Sequence, residues 1–203
     1  RAAKKGEWWN TNPERALANN SAVYNDKPDT GTFMKEWLSL YESKSGERGI
    51  FNRASAQAKA KQNSRRNADI DFGTNPCSEI ILRPNQFCNL TEVVVRSTDN
   101  IESLKRKIKI ATILGTIQAT FTNFGYLRKR WIDNTEEERL LGVSLTGIMD
   151  CPLLNQIKGL ESTLEMLKFE AIETNKEWAS KLGIPQSTAI TCVKPSGTVS
   201  QLV

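Results

Sequence analysis

Apolar residues recur every three or four positions in three stretches of this chain, which is the spacing of a helix that buries one face. The stretches cover residues 32–44, about 101–123 and about 160–182. Asp99 or Asn100 can cap the start of the second stretch, because their side chains accept hydrogen bonds from the first free backbone N–H groups of a helix. The pattern therefore predicts three amphipathic helices.

Two further helices are predicted on weaker patterns. Residues 54–66 are rich in alanine, lysine and glutamine and have little apolar face, so a helix there depends on its neighbours for stability. Thr135-Glu136-Glu137-Glu138 has the pattern of a capping box, followed by apolar residues at Leu140, Val143 and Ile148. This combination predicts a helix that begins near Thr135 and continues through Ile148.

Short aliphatic and β-branched runs predict strands at residues 49–52, 80–82, 87–95 and 188–193. Arg83-Pro84-Asn85-Gln86 separates two of them and has turn-forming residues, so 80–82 and 87–95 are predicted to form an antiparallel hairpin. Strands that alternate with long helices are typical of an α/β fold with crossover connections.

Composition excludes several classes of site. The 203 residues include no histidine, which removes histidine-based catalytic triads and the commonest zinc ligand sets. The four cysteines, Cys77, Cys88, Cys151 and Cys192, contain no Cys-x-x-Cys pair, so no metal site is expected. Neither a signal peptide nor a membrane-length apolar run is present, so we expect a cytoplasmic protein without a membrane partner.

The formal net charge of +5 is carried partly by basic residues at 59–66 and 128–130. Such clusters fit an anionic partner, either nucleotide phosphates or a nucleic acid. Basic clusters are more often simply solvated surface, and we favour that interpretation over nucleic-acid binding.

The segment Asn75-Pro76-Cys77-Ser78-Glu79 carries the candidate chemistry. Pro76 and the aliphatic residues that follow favour an extended chain, in which alternate side chains point to one face. A carboxamide, a thiol and a carboxylate would then converge. A sulfur–hydrogen bond is about as strong as an activated sugar carbon–hydrogen bond, so a thiyl radical can remove that hydrogen reversibly, while the carboxylate takes a proton from a neighbouring hydroxyl.

A second cysteine, Cys88, follows in Phe87-Cys88-Asn89-Leu90. In the predicted hairpin, Cys77 and Cys88 lie on the same face of the sheet. Four residues at roughly 3.3 Å each separate their levels, which exceeds the roughly 7 Å limit for a disulfide. We therefore predict that these two thiols do not pair with each other.

These residues resemble a known family. The run Gly73-Thr74-Asn75-Pro76-Cys77-Ser78-Glu79-Ile80, followed by Phe87-Cys88-Asn89-Leu90-Thr91-Glu92-Val93, is similar to the radical loop of the ribonucleotide reductases. The sequence of these two runs is most similar to that of the monomeric, adenosylcobalamin-dependent (class II) triphosphate reductases. Cys192-Val193-Lys194-Pro195-Ser196-Gly197-Thr198-Val199-Ser200 resembles the substrate-phosphate loop of the same family. The two motifs occur in the family's order, and the resemblance extends from about residue 48 to 203.

The resemblance implies a role for each residue of the radical loop. Cys77 is the transient thiyl radical that abstracts the 3′-hydrogen of the ribose, Glu79 is the base for the 3′-hydroxyl and Asn75 binds the sugar hydroxyls. Cys88 is one half of the dithiol that reduces the 2′ carbon, and its partner cysteine lies upstream of these residues. Cys151 and Cys192 match no reactive position, and we expect them to be structural.

The resemblance also implies the setting of these residues. The fold would be part of a ten-stranded α/β barrel with the radical loop at its centre, and residues 1–203 would be a partial catalytic barrel domain of a longer chain. The cofactor would be adenosylcobalamin, although a class I enzyme with a separate radical-generating subunit stays open. A ribonucleoside triphosphate substrate, a thioredoxin-type dithiol reductant and a dNTP effector are the expected partners, with the effector site outside this chain.

The second motif has two interpretations from its residues alone. A loop between a strand and a helix can bind phosphate through backbone amides and hydroxyls at the positive end of the helix dipole. The same residues also form ordinary strand-to-helix turns with a serine or threonine cap. The resemblance favours phosphate binding, with Lys194 as a weaker candidate beside five main ones: Pro195, Ser196, Gly197, Thr198 and Ser200.

Two other classes of function remain as alternatives. A non-catalytic nucleotide or nucleic-acid binding module would use the phosphate loop and the basic clusters but not Cys77. A structural helical domain with incidental cysteines would use neither. The first would bind nucleotides without reducing them, and the second would be indifferent to substitution of Asn75 or Glu79.

Overall fold

The computed structural model describes residues 7–17, 21–44, 49–62, 66–197 and 199–202. The contacts within the chain group it into two units, Arg1–Pro84 and Asn85–Val203. Among the described residues, no helix combines the length and the hydropathy needed to cross a bilayer.

The described residues of the first unit form three α-helices and two pairs of short strands. Its helices are α1 (Trp8–Thr11), α2 (Thr30–Ser43) and α3 (Arg53–Gln62), with a 3-10 helix at Pro13–Leu17. Strand β1 (Ala22–Tyr24) is parallel to β2 (Ile50–Asn52), and β3 (Gly73–Thr74) is antiparallel to β4 (Ile81–Leu82). The predicted helices at 32–44 and 54–66 are therefore confirmed, although residues 63–65 of the second prediction lie outside the described residues.

Local capping and small apolar contacts explain the two longer helices of this unit. Asp29 caps α2 by accepting a hydrogen bond from the Thr32 N–H at 3.0 Å, and Lys44 ends the helix with a left-handed φ of 47°. Helix α3 buries only Ala56 and Ala60, which lie one turn apart on one face. Its narrow buried face agrees with the weak apolar pattern of its sequence.

The second unit is built on two parallel strands and two long helices. Strand β5 (Asn89–Val94) pairs with β6 (Leu141–Thr146), with Asn89 opposite Leu141 and Val94 opposite Thr146. Helix α4 (Ile101–Gln118) and α5 (Lys129–Glu138) lie between the strands in sequence, and α6 (Leu160–Leu182) follows. Single-turn 3-10 helices occur at Ile148–Asp150 and Val199–Leu202.

The core of the second unit lies where the strand pair packs against α4 and α6. Its buried members come from both strands, both helices and the segments after them: Val93, Val95, Leu104, Ile108, Ala111, Ala119, Leu141, Val143, Cys151, Leu154, Leu167, Ala171 and Ile190. Gly115 lets α4 approach closely, since a Cβ atom there would lie 3.4 Å from a methyl group of Leu141 and 3.6 Å from one of Thr91. The helices predicted at 101–123 and 160–182 are confirmed, although the first ends at Gln118.

The predicted helix from Thr135 to Ile148 is wrong. Thr135 lies inside α5, which ends when Arg139 takes a left-handed φ of 44°, and the next residues form β6. Five of the six β6 residues are buried. A parallel strand that is covered on both faces has a nearly continuous apolar sequence, which periodicity alone does not distinguish from a buried helix.

The predicted hairpin of residues 80–82 and 87–95 is also wrong. The structure pairs β4 with β3 and β5 with β6, so the turn residues 83–86 connect two different strand pairs. The predicted strand at 188–193 is reduced to a single parallel bridge between Thr191 and Val143. The argument that separated Cys77 from Cys88 depended on the hairpin and therefore loses its basis.

A buried polar network joins α4, α6 and the segment after α6. Asn175 of α6, which is 1% exposed, donates from Nδ2 to Thr116 Oγ1 and to Ser187 Oγ, both at 3.0 Å. Its Oδ1 accepts a hydrogen bond from the Ser187 N–H at 3.0 Å. One carboxamide thus satisfies buried groups from two other parts of the chain.

A second polar cluster fixes the start of α4. Asn100 and Ser103 form a reciprocal capping box, and Ser103 Oγ also donates to Asp99 Oδ1 at 2.7 Å. The ammonium group of Lys107 contacts Asp99 Oδ2 and donates to the Val94 carbonyl at 3.0 Å. Burial would raise the pKa of the Asp99 carboxyl, but the hydrogen bonds from Lys107, Ser103 and the Arg96 N–H outweigh it and hold that pKa below its ordinary value of 3.8.

We predict that Asp99 makes the stability of the protein depend on pH in the acid range. A carboxyl group whose pKa is lower in the folded state contributes stability that is fully present above its unfolded pKa, here 3.8, and is lost as the pH falls through the folded value. The free energy of unfolding measured in urea should therefore be larger for wild type than for Asp99→Asn at neutral pH. This gap should close as the pH falls below about 4. A gap that stays constant across this range would contradict the assignment.

Candidate functional site

Cys77 lies in the loop of a tight hairpin. Strands β3 and β4 pair with Gly73 opposite Leu82 and Thr74 opposite Ile81, so residues 75–80 form the connection. Asn75 closes the base of this loop, because its N–H donates to the Ile80 carbonyl at 3.3 Å and its Oδ1 accepts from the Ile80 N–H at 3.0 Å. The loop is therefore closed by the side chain that was predicted to bind sugar hydroxyls.

The expected extended conformation of residues 75–79 is wrong. Ser78 has a left-handed φ of 66°, and its N–H donates to the Asn75 carbonyl at 3.0 Å, which makes a turn. The Ser78 hydroxyl also lies 3.3 Å from that of Thr74. Alternation along a strand thus does not bring Asn75, Cys77 and Glu79 to one face, and the three residues instead share one six-residue loop.

The loop presents the thiol outward on a supported base. Cys77 is exposed within the chain, Glu79 is half-buried and Ile80 is 6% exposed. An accessible thiol and a half-buried carboxylate in one short loop are groups that can react with a bound molecule and accept a proton from it.

Two arginines support the strands that carry this loop. Arg53 Nε donates to the Phe72 carbonyl at 2.8 Å, and Arg66 Nη2 donates to the Ile81 carbonyl at 2.8 Å. The Arg66 guanidinium also lies 4.7 Å from the centre of the Phe72 ring, a cation–π contact with a fully buried aromatic side chain. Arg66 was predicted to belong to a basic surface cluster, whereas in the structure it supports β4 and Phe72.

Cys88 immediately precedes β5 in the second unit. It is half-buried, and its neighbour Asn89 is fixed by hydrogen bonds from its N–H and its Nδ2 to the Leu140 carbonyl at 2.9 and 3.1 Å. All four cysteines lie in the described ranges, and no disulfide joins any two of them. Cys151 is fully buried in the core, in agreement with a structural role, and Cys192 is half-buried.

The segment that precedes the second motif runs along β6. The Cys192 N–H donates to the Val143 carbonyl at 3.1 Å, and the Lys194 N–H donates to Ser144 Oγ at 3.0 Å. Pro195 and Gly197 are exposed, and Thr198 lies outside the described residues. The helix that was expected to follow is a single 3-10 turn at Val199–Leu202, so the predicted helix dipole contributes no argument for phosphate binding.

The hydroxyl groups of this motif bond within the protein. Ser196 Oγ donates to Glu92 Oε2 at 3.0 Å and accepts from the Ser200 N–H at 2.8 Å. The Ser200 hydroxyl donates to the Ser196 carbonyl at 2.9 Å. A serine hydroxyl has one proton to donate, so each of these two serines already uses its proton.

Glu92 also belongs to this site, although no role for it was predicted from the sequence. Its carboxylate is half-buried on β5 and contacts Ser196. The signal was an acidic residue between apolar positions of a strand, because Val93 and Val95 are 5% and 0% exposed. A carboxylate in such a place costs stability unless it has a partner.

Comparison with known proteins shows which proteins this chain is similar to. A protein of Lacticaseibacillus paracasei named adenosylcobalamin-dependent ribonucleoside-triphosphate reductase is 28% identical over 93% of this chain. A protein of the same name from Lactobacillus acidophilus is 31% identical over 64% of the chain. The chain is therefore similar in sequence to reductases of this name over 64–93% of its length. No family model matches it.

The fold agrees with that of a solved ribonucleotide reductase. A crystal structure of a B12-dependent (class II) ribonucleotide reductase superposes with a TM-score of 0.60 and 20% identity, covering 93% of this chain and 34% of that one. The mixed α/β fold predicted from the sequence is thus confirmed. The chain spans 28% and 21% of the length of the two ribonucleotide reductases named above, and its described strands form three separate pairs.

Proposed function

We propose that this chain is part of the catalytic chain of an adenosylcobalamin-dependent ribonucleoside-triphosphate reductase, which converts ribonucleotides to 2′-deoxyribonucleotides for DNA synthesis. The observation that carries the proposal is the exposed Cys77 in a closed hairpin loop, with Asn75 and Glu79 in the same loop. Residues outside this chain would complete a ten-stranded α/β barrel around the loop. The barrel would exclude water from the site, because a thiyl radical must be shielded from water.

The residues of the loop would divide the first half of the reaction. A Cys77 thiyl radical takes the 3′-hydrogen atom of the ribose, and Glu79 accepts the proton of the 3′-hydroxyl. The Asn75 carboxamide oxygen already accepts a hydrogen bond from Ile80, so its Nδ2 protons are the groups that would donate to a sugar hydroxyl. The same residue would then close the loop and orient the substrate.

Cys88 would serve the second half of the reaction. The 2′-hydroxyl leaves as water, Cys88 and a cysteine outside this chain supply two electrons and become a disulfide, and Cys77 returns a hydrogen atom to the 3′ carbon. Atoms and electrons then balance as one ribonucleotide and two thiols giving one deoxyribonucleotide, one disulfide and water. A thioredoxin-type dithiol would restore the two thiols, and a dNTP effector would act at a site outside this chain.

Substrate phosphates would bind at the second motif. Pro195, Ser196, Gly197, Thr198 and Ser200 are the residues that we assign to this loop. The bonds of Ser196 and Ser200 within the protein indicate that these two serines shape the loop, so that its backbone N–H groups supply most of the donors. This loop is the part of the proposal that a simple nucleotide-binding module would share.

The names of the relatives state a dependence on adenosylcobalamin, and we extend that dependence to this protein as the source of the radical. The described residues do not fit the corrin itself. The chain has no histidine to ligate cobalt, and a groove of about 700 Å³ in the second unit has mostly apolar walls, such as Ile108, Leu145 and Leu164, where a corrin with amide side chains needs polar partners. The cofactor would therefore contact other parts of the protein.

The direct test is an assay of the full-length protein with each ribonucleoside triphosphate, a dithiol and adenosylcobalamin. We expect deoxyribonucleotide product that depends on the cofactor. Nucleotide binding without any product would favour the alternative, a non-catalytic nucleotide-binding module. Product formed without the cofactor would favour a reductase of another class.

A further inference from the structure

We propose that Glu92 is a positioning residue that shapes the substrate-phosphate loop through Ser196. This inference rests on the proposed function, since it assigns a task at the same loop. It goes further because Glu92 lies on β5, 104 residues before Ser196, and is not part of the phosphate motif.

The strand register places Glu92 beside a second anchor of the loop. Glu92 of β5 lies opposite Ser144 of β6, and paired residues of adjacent strands direct their side chains to the same face of the sheet. Ser144 accepts a hydrogen bond from the Lys194 N–H, and Glu92 accepts one from the Ser196 hydroxyl. Two neighbouring side chains of the sheet thus hold the loop at two points, two residues apart.

The bond to Glu92 also sets the orientation of Ser196. A hydroxyl group that donates its one proton to Glu92 has its lone pairs directed elsewhere, and one of them accepts the Ser200 N–H at 2.8 Å. Ser200 then donates back to the Ser196 carbonyl. The carboxylate, Ser196 and Ser200 form one connected chain of hydrogen bonds, in which the first member is ionic and therefore the strongest acceptor.

The second carboxylate oxygen of Glu92, Oε1, indicates that Glu92 does more than stabilise the fold. Its Oε1 is buried and accepts no hydrogen bond from the described residues. A buried acceptor in that state costs about 1–3 kcal/mol. Replacing Glu92 should therefore leave the folded state nearly as stable as before.

The charge of Glu92 distinguishes a residue that positions the loop from one that only lies near it. A negative charge beside bound phosphates is repulsive, so a Glu92 that only sits near the loop would weaken nucleotide binding, and Glu92→Ala would improve it. A Glu92 that positions the loop has the opposite effect, since its removal frees Ser196 to turn. Glu92→Gln keeps an oxygen that can accept from Ser196 without the charge, and it should rescue binding.

The test measures KM and kcat for a ribonucleoside triphosphate, and equilibrium binding of the same nucleotide, in the full-length protein. We expect Glu92→Ala to raise KM and the dissociation constant about tenfold, equivalent to the loss of one charge-assisted hydrogen bond, with a smaller change in kcat. Glu92→Gln should stay within about threefold of wild type in both constants. Thermal unfolding of both variants should match wild type.

Thr91→Val is the matched control. Thr91 is adjacent on the same strand but faces α4, where its methyl group lies 3.6 Å from the Cβ position of Gly115. Its hydroxyl is buried and has no hydrogen-bond partner among the described residues, so valine should preserve both binding and stability. A KM effect confined to Glu92 separates positioning of the loop from general disturbance of β5.

The outcomes separate this inference from the proposed function. If wild type binds and reduces nucleotides and Glu92→Ala binds them as well or better, Glu92 has no positioning role, and the proposed function stands. If Glu92→Ala lowers thermal stability and leaves KM unchanged, its role is structural and the inference is wrong. If wild type binds no nucleoside triphosphate, both the phosphate loop and the task of Glu92 are refuted.

Discussion

Cys77→Ser in the full-length protein is expected to abolish deoxyribonucleotide formation, with a loss of at least about four orders of magnitude in turnover. Serine has nearly the same shape as cysteine, but its oxygen–hydrogen bond is much stronger than a sulfur–hydrogen bond, so an oxygen-centred radical cannot form and be regenerated in each cycle. Cys77 is exposed in a loop whose base is closed by Asn75, so the fold should be unaffected. Product formation and equilibrium nucleotide binding together provide the measurement.

A second cysteine in the chain provides the control for this substitution. Cys192→Ser removes a half-buried thiol to which we assign no chemistry, and its turnover should remain close to that of wild type. Nucleotide affinity should be unchanged in Cys77→Ser, because the phosphate loop is intact. Turnover of Cys77→Ser comparable to wild type would refute the radical assignment and with it the reductase proposal.

Asn175→Ala is expected to cause the largest loss of stability, about 2–4 kcal/mol. The carboxamide of Asn175 holds α4 through Thr116 and the segment after α6 through Ser187. Alanine would leave the buried Ser187 N–H without its acceptor and would open a small cavity between the helices. Both effects lower the free energy of unfolding, since the buried Ser187 N–H cannot reach water and the cavity removes packing contacts.

Hydrogen exchange and the midpoint of urea unfolding would measure this loss. Peptides from α4 and α6 should exchange faster in Asn175→Ala, and the midpoint should fall. The neighbouring Lys176→Ala removes an exposed side chain with a 4.0 Å ion pair to Glu173 and should change stability by less than about 0.5 kcal/mol. Equal behaviour of the two variants would show that the network contributes little.

The helices could be predicted from the sequence because their signals are local. Helix α6 was predicted with its observed bounds, since its apolar spacing is regular and Gly183 ends it in a left-handed conformation. The capping of α4 by Asn100 was likewise visible in the sequence. These features depend on residues within one or two turns of each other.

Strand pairing could not be predicted in the same way. Residues 141–146 have the apolar character of a buried helix, and only their pairing with β5 about fifty residues earlier makes them a strand. The turn-forming residues 83–86 favoured a hairpin between their neighbours, yet β4 pairs with the preceding β3. Residues 83–86 do connect two strands, but their turn-forming character did not determine which strands pair with each other.

The candidate site shows the same division. The motif identified Cys77 and Glu79 as candidates through the spacing of their residue types, and the structure adds the closed loop that carries them. Glu92 could not be assigned from the sequence, because its contact with Ser196 depends on the register of two strands and on the path of a third segment. Its acidic character within an apolar strand was the one local indication.

The bond between Ser196 and Glu92 has a consequence for how the chain assembles. Its two ends are 104 residues apart, whereas the hydrogen bonds that close the Cys77 loop join residues at most five apart. Short loops close quickly, and long ones close only after the intervening chain has become ordered. We therefore expect the loop that carries Cys77 to close early, and the bend at Ser196 to form last, once the residues between Glu92 and Ser196 have folded.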